Sequence, residues 1–437
     1  MAESAEVYHI LSTDDGLTWS ELANVSRMGD SVSTAPCLAV GPDEHLHCAW
    51  MQYRGDLGSF DAFDYFYSEY DGETWSEPAN VTQRASNTNA ASSGSIAVDP
   101  SEAVHLVVEY VVPGYSYSIL HAVNRGDSWT TPVQVSDSPY DDGLPGVAAT
   151  SDGRVHVVWR QYRGTAPGFL YYSRFDSVWT PPRMLGEYPD GVQGACIASS
   201  AGDRLHVVYL GNARRNAAEV YYITSPDGDS WSVPENVSES PMRRTSSPAV
   251  TVDSIGRVCV VWCDEVLPGG IVMQTFYRVR YGVWGPKMQL TADTVSTGGI
   301  RLGASVKDGK VDLLWLQRLS RSPEASAIYY MRLRVPEVGI SEGPTSRVAR
   351  LGLVATPSPF SVRTTIQLPV DDRPLLVGIF DLSGRLVRRL VTGSRGASAG
   401  AAVWDGRDER GRTVAGGVYL VEATSPQARG AVLVVKQ

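Results

Sequence analysis

Six stretches in the first three quarters of the chain alternate apolar and polar residues around a tight turn rich in Asp, Gly and Ser. They are CLAVGPDEHLHCAW (37–50), SIAVDPSEAVHLVV (95–108), GVAATSDGRVHVVW (146–159), ACIASSAGDRLHVVY (195–209), AVTVDSIGRVCVVW (249–262) and GASVKDGKVDLLW (303–315). Each predicts a strand, a turn and a second strand. The second strands align at His47, His105, His156, His206, Cys259 and Asp312, and three residues later at Trp50, Val108, Trp159, Tyr209, Trp262 and Trp315.

A second hairpin alternates with the first and is marked by tryptophan. Trp19, Trp75, Trp129, Trp179, Trp231 and Trp284 follow one another at intervals of 56, 54, 50, 52 and 53 residues. The first copy reads S-T-D-D-G-L-T-W from Ser12 to Trp19. Asp14 is placed to accept backbone N–H groups inside the turn, Gly16 to take a positive φ, and Trp19 to plug the gap between hairpins. Later copies drift: the second carries Tyr70 at the aspartate position with Asp71 beside it, the third Asn124 and the fifth Pro226. The fourth and sixth keep little beyond the tryptophan. A period near 50 residues with strand-like content predicts propeller blades of four antiparallel strands, A to D. The motif resembles the Asp-box of the sialidase-type (BNR-repeat) β-propellers, in which it is structural and lies away from the active face.

Six A–B hairpins and six box hairpins make about six blades. The chain begins with a C–D unit (6–26), which is expected to complete the last blade and remove its exposed edge. Residues 327–334 read as a strand C without a strand D. Either they take strand C of the closing blade, or a seventh blade has lost its start; six blades are preferred. The propeller is assigned to 6–334, a Pro/Gly/Ser/Glu linker to 335–349, and a small β-sandwich of about seven strands to 350–437. The fold expected is thus all-β throughout.

The last segment resembles the Ig-like domain of the flagellar hook-cap protein and the C-terminal sorting domains of type IX secretion substrates. The matching words are PSPF (357–360), TTI (364–366), LP (368–369), FDLSGR (380–385), WDGRD (404–408) and VAGGVY (414–419), with Lys436 near the end. That resemblance implies export to the cell surface or medium, with secretion machinery as a partner. The opening MAESAEVYHILS has no signal-peptide pattern, so the sequence is expected to begin downstream of the natural start.

Charge narrows the partners. The net charge of −10 and pI near 5.3 argue against nucleic acid or an anionic membrane. Residues 350–437 carry 12 Arg/Lys against 7 Asp/Glu, so the acidity lies in the first 349 residues. No stretch approaches the ~18 apolar residues of a membrane span. The five cysteines show no framework spacing; Cys37 and Cys48 could face each other across a hairpin, but buried free thiols are preferred. The four aligned histidines stand one per blade, separated by whole sheets, which opposes a metal site. No metal or cofactor is expected. The sequons at Asn24, Asn80 and Asn236 share one repeat column and need no glycosylation to explain them.

Function is expected on the face formed by the B–C loops and the D-to-A connections. Arg54, Arg163 and Arg318 occupy like positions in three blades and are candidate ligand-binding residues, since a guanidinium fork matches a carboxylate. Asp56, Asp264 and Glu265 are candidate catalytic carboxylates. The D-to-A connections add Tyr140, Asp141 and Asp142 among others. Sialidases use three arginines, a Tyr–Glu nucleophile pair and an Asp acid. This chain lacks their F-R-I-P motif, and no Tyr–Glu pair is assignable. A carbohydrate-binding cell-surface or secreted propeller is therefore preferred, with a sialidase-like glycoside hydrolase as the alternative.

Overall fold

The computed structural model describes residues 5–14, 16–29, 31–54, 63–83, 91–112, 116–126, 128–164, 168–187, 191–211, 218–240, 244–266, 272–291, 304–307, 310–321, 324–334, 349–350, 354–358, 360–367, 376–381, 386–391, 401–424 and 428–436. Every regular element among them is a strand, and none is a helix long and apolar enough to cross a membrane. Two compact units emerge: one holds most of residues 1–330, the other 331–437 with 289–294 and 309–313.

The larger unit is a β-propeller of about six blades. It contains antiparallel sheets of four or five strands that follow one another at 33–80, 91–134, 141–187, 192–236 and 245–289; the strands 304–307, 310–321 and 324–334 form a three-stranded sheet. The B strands are buried along nearly their whole length, because neighbouring blades cover both faces. The A strands of these five sheets each carry a bulge, between Thr34 and Cys37, Ala91 and Ser93, Gly143 and Gly146, Gln193 and Ala195, and Ser246 and Ala249. A bulge re-aims the side chains beyond it. It sets off a short terminal segment that holds Ser33 opposite Gln52, Asp142 opposite Gln161 and Thr245 opposite Asp264 in alternate blades.

Blades are joined by the box tryptophans. Trp129 meets Tyr67 of the preceding blade edge-on, Trp179 meets His121, Trp231 meets Tyr172 and Trp284 meets Tyr222, with centroids 5.0–5.3 Å apart and planes at 71–88°. Such pairs contribute ~0.5–1.5 kcal/mol each beyond the area they bury. Three of the aligned histidines support these sockets: His47, His156 and His206 each bond a C-strand tyrosine hydroxyl through Nδ1, at 2.7, 2.8 and 2.7 Å. His105 bonds His121 instead, at 3.0 Å. The column is structural, as its spread over separate blades implied.

The box turns differ from the sequence alignment in one respect. Asp14 accepts the Thr18 N–H at 2.8 Å and its hydroxyl at 2.5 Å, which draws its carboxyl down to about 2. In the second and fifth copies the role falls to Asp71 and Asp227, each one residue beyond Tyr70 and Pro226. Asp71 accepts the Thr74 N–H at 2.7 Å, and Asp227 the Ser230 N–H at 2.8 Å. A shorter turn moves the acid one place along without changing what it holds. The sequon column is structural too. Asn24, Asn80 and Asn236 each accept the N–H three residues on at 2.9 Å, and Ser26, Thr82 and Ser238 accept strand C N–H groups.

The N-terminal hairpin pairs Tyr8–His9 with Ala23–Asn24 in a sheet of its own. Its Trp19 lies edge-on against Tyr330 at 5.1 Å, and its His9 receives Trp75 at 5.3 Å. Val7 and Val25 complete a cluster with Cys48 and Trp50. Closure of the ring is therefore non-covalent, as expected, but passes through side chains rather than an added strand in the last sheet. Residues 324–334 take the third strand of that sheet. Gly16 is required here twice over: its φ is +80°, and a Cβ would lie 2.1 Å from the Tyr330 ring. All five cysteines are free; Cys37 pairs with Ala49 and Cys48 with Leu38, so the two do not face each other.

The C-terminal unit contains two sheets of five and three strands around Phe360, Ile366, Ile379, Trp404, Tyr419 and Val421. Trp404 stands edge-on to Tyr419 at 4.9 Å and donates its indole N–H to the Arg407 carbonyl at 3.0 Å.

Removing residues 1–26 should take Trp19 from Tyr330 and His9 from Trp75 and cause aggregation or a large fall in Tm. A truncated protein that stays monomeric and equally stable would contradict closure by this hairpin. Burial also lowers the pKa of His156 and His206 from 6.5 to about 4. The folded state holds both neutral, so stability should fall as pH drops from about 6.5 towards 4, by up to roughly 1.4 kcal/mol per pH unit for each. Replacing both with Gln should flatten Tm against pH in that window; an unchanged slope would rule the histidines out as its cause.

Candidate functional site

Strands A and C start, and strands B and D end, at the edge of each blade opposite the box turns. In the third blade this edge opens into a cavity of about 380 Å³. Ser138 and Tyr140 from the D-to-A connection form one wall, and Trp159, Gln161 and Arg163 from strand B form another. Tyr171 from strand C and Pro182 close it. The A-strand bulge, with Leu144 at φ +54°, separates Asp142 from the rest of its strand and sets it beside Gln161.

Asp142 is fully buried. Its Oδ1 accepts the Trp159 indole N–H at 3.1 Å and the Gln161 amide at 3.2 Å. Its Oδ2 is enclosed without a hydrogen-bond partner among the described residues. Burial raises this carboxyl from 3.8 to about 6, against hydrogen-bonding from Gln161, Ser136, Trp159 and Ser138 that pulls it down. Gln161 also accepts from Arg163 Nε at 2.7 Å, and Arg163 Nη2 donates to the Tyr171 hydroxyl at 2.8 Å. The guanidinium lies over Phe169 at 4.1 Å and Tyr140 at 5.0 Å. A chain of polar groups thus runs from a buried acceptor to a half-buried cation between aromatic faces.

The other candidates fall elsewhere. Arg54, in the first blade, pairs with Asp64 at 2.9 Å. Burial pushes the Asp64 carboxyl up, but hydrogen bonds from Thr82, Arg54, Asn80 and Tyr110 outweigh it and hold it below the ordinary range. Asp264, in the fifth blade, is buried and bonds Lys287 at 2.6 Å, Thr245 at 2.5 Å and Ser240. Glu265, also buried, accepts the Arg244 N–H at 3.3 Å. Arg318 lies on the strand Lys310–Arg321, but its side chain is outside the described residues, as is all of Asp56. The described candidates therefore stand in three separate blades.

Asp142 was one of several acids in the D-to-A connections. The sequence signal that points to its partner is the recurrence of Trp-x-Gln or Trp-x-Asp at Trp50–Gln52, Trp159–Gln161, Trp262–Asp264 and Trp315–Gln317. Its cross-strand pairing with Gln161 needed the structure.

Residues 355–429 match the FlgD Ig-like domain. No curated protein matches the chain. Among solved structures, the chain resembles a protein of unknown function from Dyadobacter fermentans, at 11% identity and TM-score 0.50, over 69% of this chain and 94% of that one. It is also similar to an α-L-arabinofuranosidase from Fusarium graminearum, at 14% identity and TM-score 0.49, over 70% and 94%. A Hadza microbial sialidase aligns at 13% identity and TM-score 0.47, over 65% of this chain and 63% of that one. The chain thus spans less than two thirds of that sialidase. At these identities the likeness is one of fold.

The buried Asp142 carboxyl yields a test of its own. With its folded pKa raised, its contribution to stability is fully present below about pH 3.8 and is lost as pH rises through about 6. The cost of holding it ionised at pH 7 is roughly 3 kcal/mol. Asp142→Asn should therefore raise Tm at pH 7, with the gain vanishing near pH 4. A variant less stable than the parent at pH 7 would contradict a carboxylate whose burial outweighs its hydrogen bonds.

Proposed function

We propose that this propeller binds carbohydrate in the third-blade cavity and does not carry out strict sialidase catalysis. One observation carries the reading: Asp142, whose buried carboxylate keeps one oxygen without a hydrogen-bond partner among the described residues, lines a cavity together with Trp159, Tyr140 and Tyr171. Sugars offer hydroxyl donors together with apolar C–H faces, and such a site supplies the complement to both. Arg163, held by Gln161 and Tyr171, is the candidate from the three-arginine set that lines this cavity.

A glycan array on the full chain should identify an oligosaccharide. Arg163→Ala and Asp142→Asn should then each weaken binding by roughly 10- to 150-fold, the range for a lost charge-assisted contact in a buried site. If neither changes affinity, the cavity is not the binding site.

The alternative is a glycoside hydrolase, favoured by the raised pKa of Asp142, which suits a general acid. The exposed Asp137 on the same rim is a second carboxylate. In that case Asp142→Asn should cut turnover on a fluorogenic glycoside panel by ~10²–10⁴. A sialidase-type centre would instead draw on Arg54, Arg163 and Arg318 with Asp56, Asp264 and Glu265, and turnover would follow those residues.

Placement at the cell surface or in the medium, with residues 350–437 engaging secretion machinery, belongs to the same proposal. It is supported by the sorting-domain words of the C-terminal segment. Deleting 350–437 should leave a folded propeller inside a host with type IX secretion; normal export of the truncation would end that part of it.

A further inference from the structure

The third-blade cavity has a filled counterpart two blades on. Trp262 stacks on Phe276 in the fifth blade as Trp159 stacks on Tyr171 in the third, with planes at 19° and 24°. The cross-strand pair Thr245–Asp264 occupies the place of Asp142–Gln161, so each blade has one buried carboxylate in that pair. The hairpin after each tryptophan is closed by the same backbone bond, Gly285 N–H to Val279 and Thr180 N–H to Arg174. Two residues beyond those donors stand Lys287 in the fifth blade and Pro182 in the third.

Lys287 sends its ammonium into the fifth-blade site. Nζ donates to Asp264 at 2.6 Å, to the Ser238 carbonyl at 2.9 Å and to the Ser240 hydroxyl, and lies 4.7 Å from the Phe276 ring centroid. The first blade solves the same position without charge: Ser33 bonds Gln52 at 2.6 Å, and Gln52 in turn bonds Ser31 at 2.8 Å and Trp50 at 3.2 Å. Among the described residues, since Pro182 stands where the fifth blade has Lys287, the cross-strand pair of the third blade holds a buried carboxylate that no side-chain ammonium meets. Its Asp142 Oδ2 is the atom left without a partner.

We propose that the third-blade cavity takes the ammonium group of an amino sugar, in the manner in which the fifth blade takes Lys287. The group would sit between the aromatic walls and donate to Asp142 Oδ2, while the sugar hydroxyls reach Arg163 and Tyr171. The assignment rests on the carbohydrate reading of the cavity and narrows its ligand to amine-bearing sugars. Because the carboxyl titrates near 6, affinity should fall as pH drops below that value.

The direct test builds the missing lysine. In the full chain, Pro182→Lys should melt several degrees above Pro182→Met, which has a similar unbranched chain without the charge. The difference should vanish when either change is combined with Asp142→Asn. Equal melting of the two variants with Asp142 intact would overturn the ammonium site, whatever the protein binds. Calorimetry at pH 7 then compares a glucosamine tetramer, its fully N-acetylated form and a lysine amide. The free amine should bind at least ~10-fold tighter than the acetylated form, and Pro182→Lys should abolish that binding. Equal binding of both tetramers, lost on Arg163→Ala, would leave the carbohydrate site standing and remove the amine assignment. A lysine amide binding as tightly as the amino sugar would overturn the sugar part of the assignment.

Discussion

A tryptophan set edge-on against an aromatic ring of the neighbouring blade is the contact on which the propeller depends. It recurs at the junctions from His9–Trp75 to Tyr222–Trp284, and again where Trp19 meets Tyr330. Much of the repeat serves it. Aspartates such as Asp14, Asp71 and Asp227 hold the turns that present the indoles, and aligned histidines fix the hydroxyls of three socket tyrosines. Buried clusters along the strands add to it, joining Val158 and Leu170 of the third blade to Val192 and Ile197 of the fourth, for example, while the loop edge opposite the boxes differs between blades.

That variation is clearest in the first, third and fifth blades. The same stacked tryptophan and the same cross-strand pair appear as a neutral, self-satisfied cluster, as an open acidic cavity, and as an acid filled by lysine. A buried carboxylate oxygen left without a donor destabilises a fold, so keeping one argues for a role outside folding. The closed versions show what the open one lacks.

The fold was legible because its junction residue is large, rare and regularly spaced. The tryptophan period located the blades, and the hairpin patterns supplied their strands. The box aspartates were harder to align, since a turn shorter by one residue moves Asp71 and Asp227 off the expected column. For the site, Arg163 stood out because it shares a position with arginines of two other blades, but the same position holds Arg54, which the structure pairs with Asp64. The two arginines differ in what the neighbouring C strand offers, an acid in one blade and aromatic rings in the other. Asp142 was hidden among adjacent acids because its burial depends on a bulge and a cross-strand partner. The equivalence of Pro182 and Lys287 is legible in their shared place three residues after a box tryptophan, but the buried acid that each one adjoins is not.

The most direct measurement is a crystal structure of the full chain with a glucosamine oligomer bound at pH 7. The expected result places an ammonium nitrogen ~2.7–2.9 Å from Asp142 Oδ2, between the Trp159 and Tyr171 walls. An oligomer bound elsewhere on the propeller, with the third-blade cavity empty, would contradict it.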